Sequence, residues 1–178
     1  SFAVPQGSLF GLLGPNGAGK TTVIRMIMDI LAPDEGEVRL RGRPRTRDDL
    51  RRIGYLPEER GLYRRMTVTD QLVFLGELHG VPRGEATKRA AQWLERLGLG
   101  AWAKAKVEAL SKGMQQKIQI AGTLLHEPDL LILDEPFSGL DPINQGVLKE
   151  ALAELRERGT TILFSTHIME HAEKLCDR

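Results

Sequence analysis

The stretch GPNGAGKT, residues 14–21, decides how the rest of the chain is read. Ser8–Leu13 before it is a short apolar run of strand length, and Thr21–Leu31 after it is almost wholly apolar at helical length. Strand, glycine-rich loop and helix in that order are the context that the pattern G-x-x-x-x-G-K-[ST] requires. The glycines let backbone amides close around an anion, the helix start adds a partial positive charge, and Lys20 adds a whole one. Thr21 brings a hydroxyl suited to Mg²⁺. Gly14, Pro15, Asn16, Gly17, Ala18, Gly19, Lys20, Thr21 and Thr22 are therefore candidates for holding the phosphates of a nucleotide.

Outward from the loop, Ala32-Pro33-Asp34-Glu35-Gly36 ends the buried helix expected over Thr21–Leu31. EVRLRG, residues 37–42, alternates like a half-exposed strand, Asp48–Arg52 reads as a helix end, and RIGYLP, residues 52–57, is a strand that Pro57 stops. From Thr67 the texture changes. Thr67 with Asp70 is a helix start, and Glu85–Leu97 sets Ala90, Trp93, Leu94 and Leu97 at helical spacing before Gly98. Residues 63–126 read as all helix. LLILD at 130–134 is then a continuous apolar strand, Pro142–Arg158 a helix closed by Gly159, TILFS at 161–165 a β-rich run, and Ile168–Cys176 a last helix. This alternation predicts a parallel sheet between helices with a helical insertion in its middle.

Bulk properties narrow the function classes. Twenty-five Lys and Arg balance 24 Asp and Glu, for a net charge of +1, so bulk attraction to nucleic acid or anionic lipid is not favoured. Cys176 is the single cysteine, which excludes an internal disulfide and fits a reducing compartment. No apolar stretch approaches the ~20 residues that span a bilayer. Ser1 stands inside the pattern Phe2-Ala3-Val4 and the chain stops at KLCDR, so both ends read as cut.

LLILDE, residues 130–135, ends a buried strand with two adjacent carboxylates. In a parallel sheet the carboxyl ends of the strands line the ligand crevice. There Asp134 is placed to hold a Mg²⁺ shell, and Glu135 to polarise an attacking water as general base. Without the glycine-rich loop the same pair would read as a cap for the following helix.

With these residues in view the chain resembles the nucleotide-binding domain of an ATP-binding cassette (ABC) ATPase. The likeness covers nearly all 178 residues. It rests on the loop at 14–21, YLPEE at 55–59 in the Q-loop position, LSKGM at 110–114 in the signature position, LLILDEP at 130–136, SGLD at 138–141, and the histidine of STH at 165–167. The resemblance implies an α/β fold: a P-loop NTPase core with a mostly parallel sheet, a small antiparallel β region and an inserted all-helical subdomain. Residues 1–62 and 127–178 would form the nucleotide-binding core, and 63–126 the helical subdomain with the signature.

It further implies that two such domains pack head to tail with ATP sandwiched between the loop of one and the signature of the other. Ser111, Lys112 and Gly113 would then face the partner's γ-phosphate, where a serine hydroxyl, backbone amides and a helix start all favour an anion. His167 would be the switch residue that joins the γ-phosphate to Glu135 and the attacking water. Asp141 would shape the site across the dimer, although SGLDP by itself is also a turn before a helix. Lys20, Glu135 and His167 are the catalytic candidates; Thr21, Asp134 and Glu58 are the candidate Mg²⁺ ligands.

Three departures from the family pattern stand out. L-S-G-G-Q has become L-S-K-G-M: Lys112 either adds an ion contact to the triphosphate or points into solvent, and Met114 lacks the polar contact of the usual glutamine. Replacing it by Gln is expected to be tolerated. Glu58 stands where the family places glutamine; it either keeps an oxygen for the metal or pairs with Arg60, Arg64 or Arg65. The aromatic on which the family stacks adenine is not found in this chain, nor are the closing strands beyond the histidine.

The activity implied is ATP hydrolysis that drives a membrane transporter through a permease partner. LPEERGLY and LSKGMQQK resemble bacterial ABC-2-type exporters of the sodium-efflux and drug-resistance groups, with the permease docking on the region after Glu58 that includes Tyr63–Thr69. The expected location is cytoplasmic, on the inner face of the cell membrane. A soluble cassette acting on ribosomes or DNA is the alternative. Its usual long coiled-coil or basic insertion is not seen in this sequence, and no nucleic-acid partner is expected.

Overall fold

The structure, a computed structural model, describes residues 2–58, 61–138, 140 and 142–169. The chain runs β1 (Leu9–Leu13), α1 (Lys20–Ile27), β2 (Arg39–Leu40), β3 (Arg43–Pro44), α2 (Arg47–Leu50), β4 (Ile53–Leu56), α3 (Val68–Leu78), α4 (Arg83–Arg96), α5 (Lys112–Leu124), β5 (Leu130–Asp134), α6 (Pro142–Glu157) and β6 (Thr161–Thr166). Two short 3-10 turns, Gly100–Trp102 and Val107–Ala109, lie between α4 and α5. All but the first two residues of the helix expected over Ile168–Cys176, and the thiol of Cys176, lie outside the described residues.

β1, β6, β5 and β4 form the central sheet in that order, every pairing parallel. β2 and β3 make a separate antiparallel pair. This is the α/β arrangement expected: a parallel sheet, a small antiparallel region and helices around them. Leu131, Ile132 and Leu133 of β5 are all buried because both faces of a parallel sheet are covered. Leu131 and Leu133 point with Ile162 and Phe164 toward Ile120 and Leu124 of α5 and Leu148 and Leu152 of α6. Ile132 and Leu163 point the other way, toward Ile24 of α1 and Ile53. Each such fully buried aliphatic side chain contributes about 1.5–3 kcal/mol of transfer free energy.

The helical region has a core of its own, with Val68, Leu72, Ala86, Ala90, Leu94, Val107, Ile118 and Leu125 packed together. α5 serves both cores, because Ile120 and Leu124 face the sheet while Ile118, Ala121 and Leu125 face the helices. Thr67 caps α3, its Oγ1 accepting from the Asp70 amide at 3.1 Å.

One expected element is shorter than its sequence. The helix after the glycine-rich loop stops at Ile27, and Ile30 and Leu31 are exposed rather than buried. Asp29 has φ 61°, a left-handed conformation that ends a helix. Arg45 fixes this end: its Nη1 donates to Met26 O at 2.6 Å and to Ile27 O at 2.9 Å, while Nη2 pairs with Asp29. A guanidinium on the last carbonyls satisfies orphan acceptors and the helix dipole together. α1 is also less covered than an apolar run suggests, with Ile24 its one buried residue.

Candidate nucleotide site

The parallel register sets the carboxyl ends of three strands side by side. Leu13 lies opposite Thr166 and Asp134 opposite Ser165, so the chain leaves β1, β5 and β6 at one edge as Gly14, Glu135 and His167. The Gly14 amide donates to Thr166 O at 3.3 Å, tying the loop to the strand that carries His167.

Within the loop, Gly17 and Gly19 have φ 83° and 91°, and an added Cβ at either would meet nothing within 4 Å. Conformation rather than space calls for glycine there. The Ala18 amide donates to Pro15 O at 3.2 Å, whereas the amides of Asn16, Gly17 and Gly19 donate to no protein group among the described residues. Lys20 folds back over the loop, with Nζ donating to Gly14 O at 2.6 Å and Pro15 O at 3.2 Å. Free amides, the start of α1 and an ammonium held above them make a cradle that fits an anion.

Across the cradle stands the end of β5. Glu135 Oε1 lies 3.8 Å from Lys20 Nζ and 2.9 Å from His167 Nδ1. Glu135 has φ 49°, a left-handed backbone that a glutamate rarely adopts. Buried Ser165 holds this corner: its Oγ donates to Asp134 Oδ1 at 2.5 Å and accepts from the Glu135 amide at 3.1 Å. Asp134 is 2% exposed, and its second oxygen, Oδ2, has no hydrogen-bond partner. A buried carboxylate oxygen left without a donor suits a cation or its water. Asp134 therefore fits the Mg²⁺ expected of it. Burial, and after it the Asp134 charge, pushes the Tyr55 phenol up from its ordinary value.

The structure thus brings Gly14, Lys20, Asp134, Glu135 and His167 to one edge. Ser111, Lys112, Gly113 and Glu58 lie on other segments of the chain. Ser111 caps α5, its Oγ accepting from the Met114 amide at 3.3 Å, and both Ser111 and Lys112 are exposed. No hydrogen bond or ion pair among the described residues joins Ser111, Lys112 or Gly113 to the cradle. Glu58 is exposed, and it pairs with neither Arg64 nor Arg65; Arg60 and Asp141 lie outside the described residues.

Met114 is half-buried against the helical core, so glutamine there would give up apolar contact. Sequence reasoning missed Ser165, although the Ser-Thr pair before His167 was visible at the end of an apolar strand beside LLILD. Gln116 was missed as well. Its Nε2 donates to Ser138 O at 3.0 Å, joining α5 to the segment that follows Glu135.

Comparison with known proteins identifies the family. The family model described as ABC transporter matches residues 1–138. The "Uncharacterized ABC transporter ATP-binding protein YhaQ" of Bacillus subtilis (strain 168) is 55% identical over 174 residues, 98% of this chain and 58% of that protein. The "Linearmycin resistance ATP-binding protein LnrL" of the same organism is 43% identical, covering 100% of this chain and 58% of that protein. The "Nod factor export ATP-binding protein I" of Paraburkholderia xenovorans (strain LB400) is 44% identical, covering 100% and 60%. A solved "Structure of ATP binding subunit of ABC transporter" superposes with a TM-score of 0.91 at 35% identity, over 99% of this chain and 75% of that one. The chain spans less than two thirds of the length of these curated relatives. By the family match and by relatives of this identity along its whole length, the chain belongs to the ABC transporter family of ATP-binding domains.

Proposed function

We propose that this chain binds ATP with Mg²⁺ and hydrolyses it as the energy-supplying part of a membrane exporter. The observation that carries the reading is the meeting of Lys20, Glu135 and His167 beside the loop amides, a cation and a base at one mouth. A triphosphate laid on the loop takes the Lys20 ammonium from the carbonyls it now caps. Glu135 accepts the proton of a water held beside the γ-phosphate; the new O–P bond forms as the bond to the β-phosphate oxygen breaks, and ADP leaves with that oxygen. His167 orients the Glu135 carboxylate, and Thr21, Asp134 and Glu58 are the side chains that would hold Mg²⁺. That ion, when bound, neutralises charge on the phosphate oxygens.

The exposed cap of α5 supports a second role at a distance. Ser111, Lys112 and Gly113 serve the nucleotide of a second copy or a related domain, a role in which Asp141 is assigned to shape the shared site. No helix among the described residues is long and apolar enough to cross a membrane; the path for cargo is assigned to a permease partner on the strength of relatives named as ATP-binding proteins of ABC transporters. That partner docks near Tyr63, which is 56% exposed and braced edge-on against Phe74 at 5.4 Å. Relatives named for linearmycin resistance and Nod factor export favour export. The assigned location is the cytoplasmic face of that permease.

Phosphate release from Mg·ATP by the full-length protein, expressed with its permease, tests the proposal. Release above the background of Glu135→Gln is expected; release equal to that background would overturn hydrolysis by this site.

A further inference from the structure

Ser165 is fully buried at the end of β6, directly opposite Asp134 in the register. A serine hydroxyl has one proton to give, and here it goes to Asp134 Oδ1. The oxygen then accepts from the Glu135 amide. One atom therefore holds two consecutive residues of β5 and its exit, and each needs holding. Asp134 Oδ1 is engaged, so its carboxylate cannot turn and Oδ2 is the oxygen left without a partner. Glu135 sits in the left-handed region at φ 49°, a conformation that persists only where the surroundings fix it. Its amide is fixed by this same hydroxyl, and its carboxylate is thereby presented to His167 and Lys20.

We propose that Ser165 is a positioning residue of the nucleotide site, which commits one oxygen of Asp134 so that the other faces the metal, and clamps the backbone turn that aims Glu135. The proposal rests on the ATP and Mg²⁺ reading above. It assigns Ser165 no contact with nucleotide. Removing the hydroxyl leaves Asp134 Oδ1 and the Glu135 amide without their partner and frees the carboxylate to rotate. Partners that orient a metal-binding carboxylate are worth about 10- to 100-fold in metal affinity.

The test is the metal-dependent gain in ATP affinity, the ratio of Kd in EDTA to Kd in Mg²⁺, measured on full-length protein by fluorescence of a labelled ATP analogue. This ratio does not depend on the fraction of active protein. Wild type and an Asp134→Asn control bracket the scale. Ser165→Ala is expected to lose about 10- to 100-fold of the gain, and Ser165→Thr, which keeps a hydroxyl, to recover it. Should Ala yield no folded protein, Ser165→Cys, a weak donor of similar size, is read in the same way and is expected to fall short of wild type. A gain within twofold of wild type in the Ala or Cys variant, with only Tm lowered, would reduce Ser165 to a structural residue. So would a folded Thr variant as poor as Ala. Wild-type protein without ATP affinity, or without any metal-dependent gain, would instead overturn the nucleotide reading itself.

Discussion

Nδ1 of His167 and Oε1 of Glu135 stand 2.9 Å apart, and the same carboxylate oxygen lies 3.8 Å from Lys20 Nζ. A carboxylate only accepts, so Nδ1 carries the proton of this contact. The arrangement keeps the charge of Glu135 aimed by the imidazole on one side and offset by the ammonium on the other.

Glu135→Gln therefore separates binding from chemistry. The amide keeps the shape of the side chain but cannot take a proton from water. Turnover should fall by about 10²- to 10⁴-fold, while ATP affinity stays close to wild type. Phosphate release and equilibrium binding on the same preparation check this, and size-exclusion chromatography with Mg·ATP should show the ATP-bound pair accumulating. A variant that turns over normally would remove Glu135 from the reaction.

Lys20→Ala acts on the cradle. In the free chain the ammonium is bonded to Gly14 O and Pro15 O, so its loss unties the loop as well as removing a charge. Hydrogen bonds to charged groups are worth about 1.5–3 kcal/mol, which corresponds to a 10- to 150-fold loss of ATP affinity. Isothermal titration with ATP at fixed salt measures it, and an unchanged Kd would refute the role of the loop.

Much of this was legible in the sequence because loop, strand and helix each announce themselves locally. Gly17 and Gly19 mark left-handed turns, LLILD is apolar on both faces, and Thr67 with Asp70 caps a helix. The extent of α1 was not legible, because Ile30 and Leu31 look buried until Arg45, far along the chain, is seen closing the helix at Met26 and Ile27. The Ser165 bridge was hidden for a similar reason. A hydroxyl at the end of an apolar strand gains meaning only once the register sets it against Asp134. Short-range pattern fixes elements; pairing across the sheet decides which polar atoms meet.

Met114→Gln tests whether the signature departure belongs to packing. Met114 lies against the core that Val68, Leu72 and Ile118 build, and the amide of glutamine finds its apolar neighbours there unable to bond it. A loss of about 1 kcal/mol is expected, read as a lower urea midpoint with an unchanged slope. Equal midpoints would return Met114 to the surface of the helix and leave its replacement neutral.

Gly54→Ala probes the joint between sheet and signature helix. A Cβ on Gly54 would stand 2.8 Å from Thr123 O and 3.0 Å from Pro128 Cγ, and backbone cannot yield as a side chain can. β4 and α5 must separate, at a cost of about 1–3 kcal/mol. For a chain of this length that is a fall of roughly 2–10 °C in Tm. Differential scanning fluorimetry checks it; an unchanged Tm would show that the two elements already have room.

Acid sensitivity should come from His126. Its ring stacks on His79 with centroids 3.7 Å apart and an interplanar angle of 9°, and its polar contact with the Ile53 backbone only partly offsets the cost of charging it there. Burial first, then the His79 ring, lowers its pKa to about 3, with Arg89 adding a smaller push in the same direction. In the unfolded chain His126 titrates near 6.5. Between these values the unfolded state binds the extra proton, so stability is complete above pH 6.5 and declines as the pH falls toward 3. Glu85 and Glu127 pair with Arg89 and temper its charge. Urea midpoints at pH 7.5 and 5.5 should drop for wild type and drop less for His126→Phe, which keeps an aromatic ring and cannot take a proton. Equal drops in both proteins would assign the acid loss to other groups and leave the stacked pair a neutral packing contact.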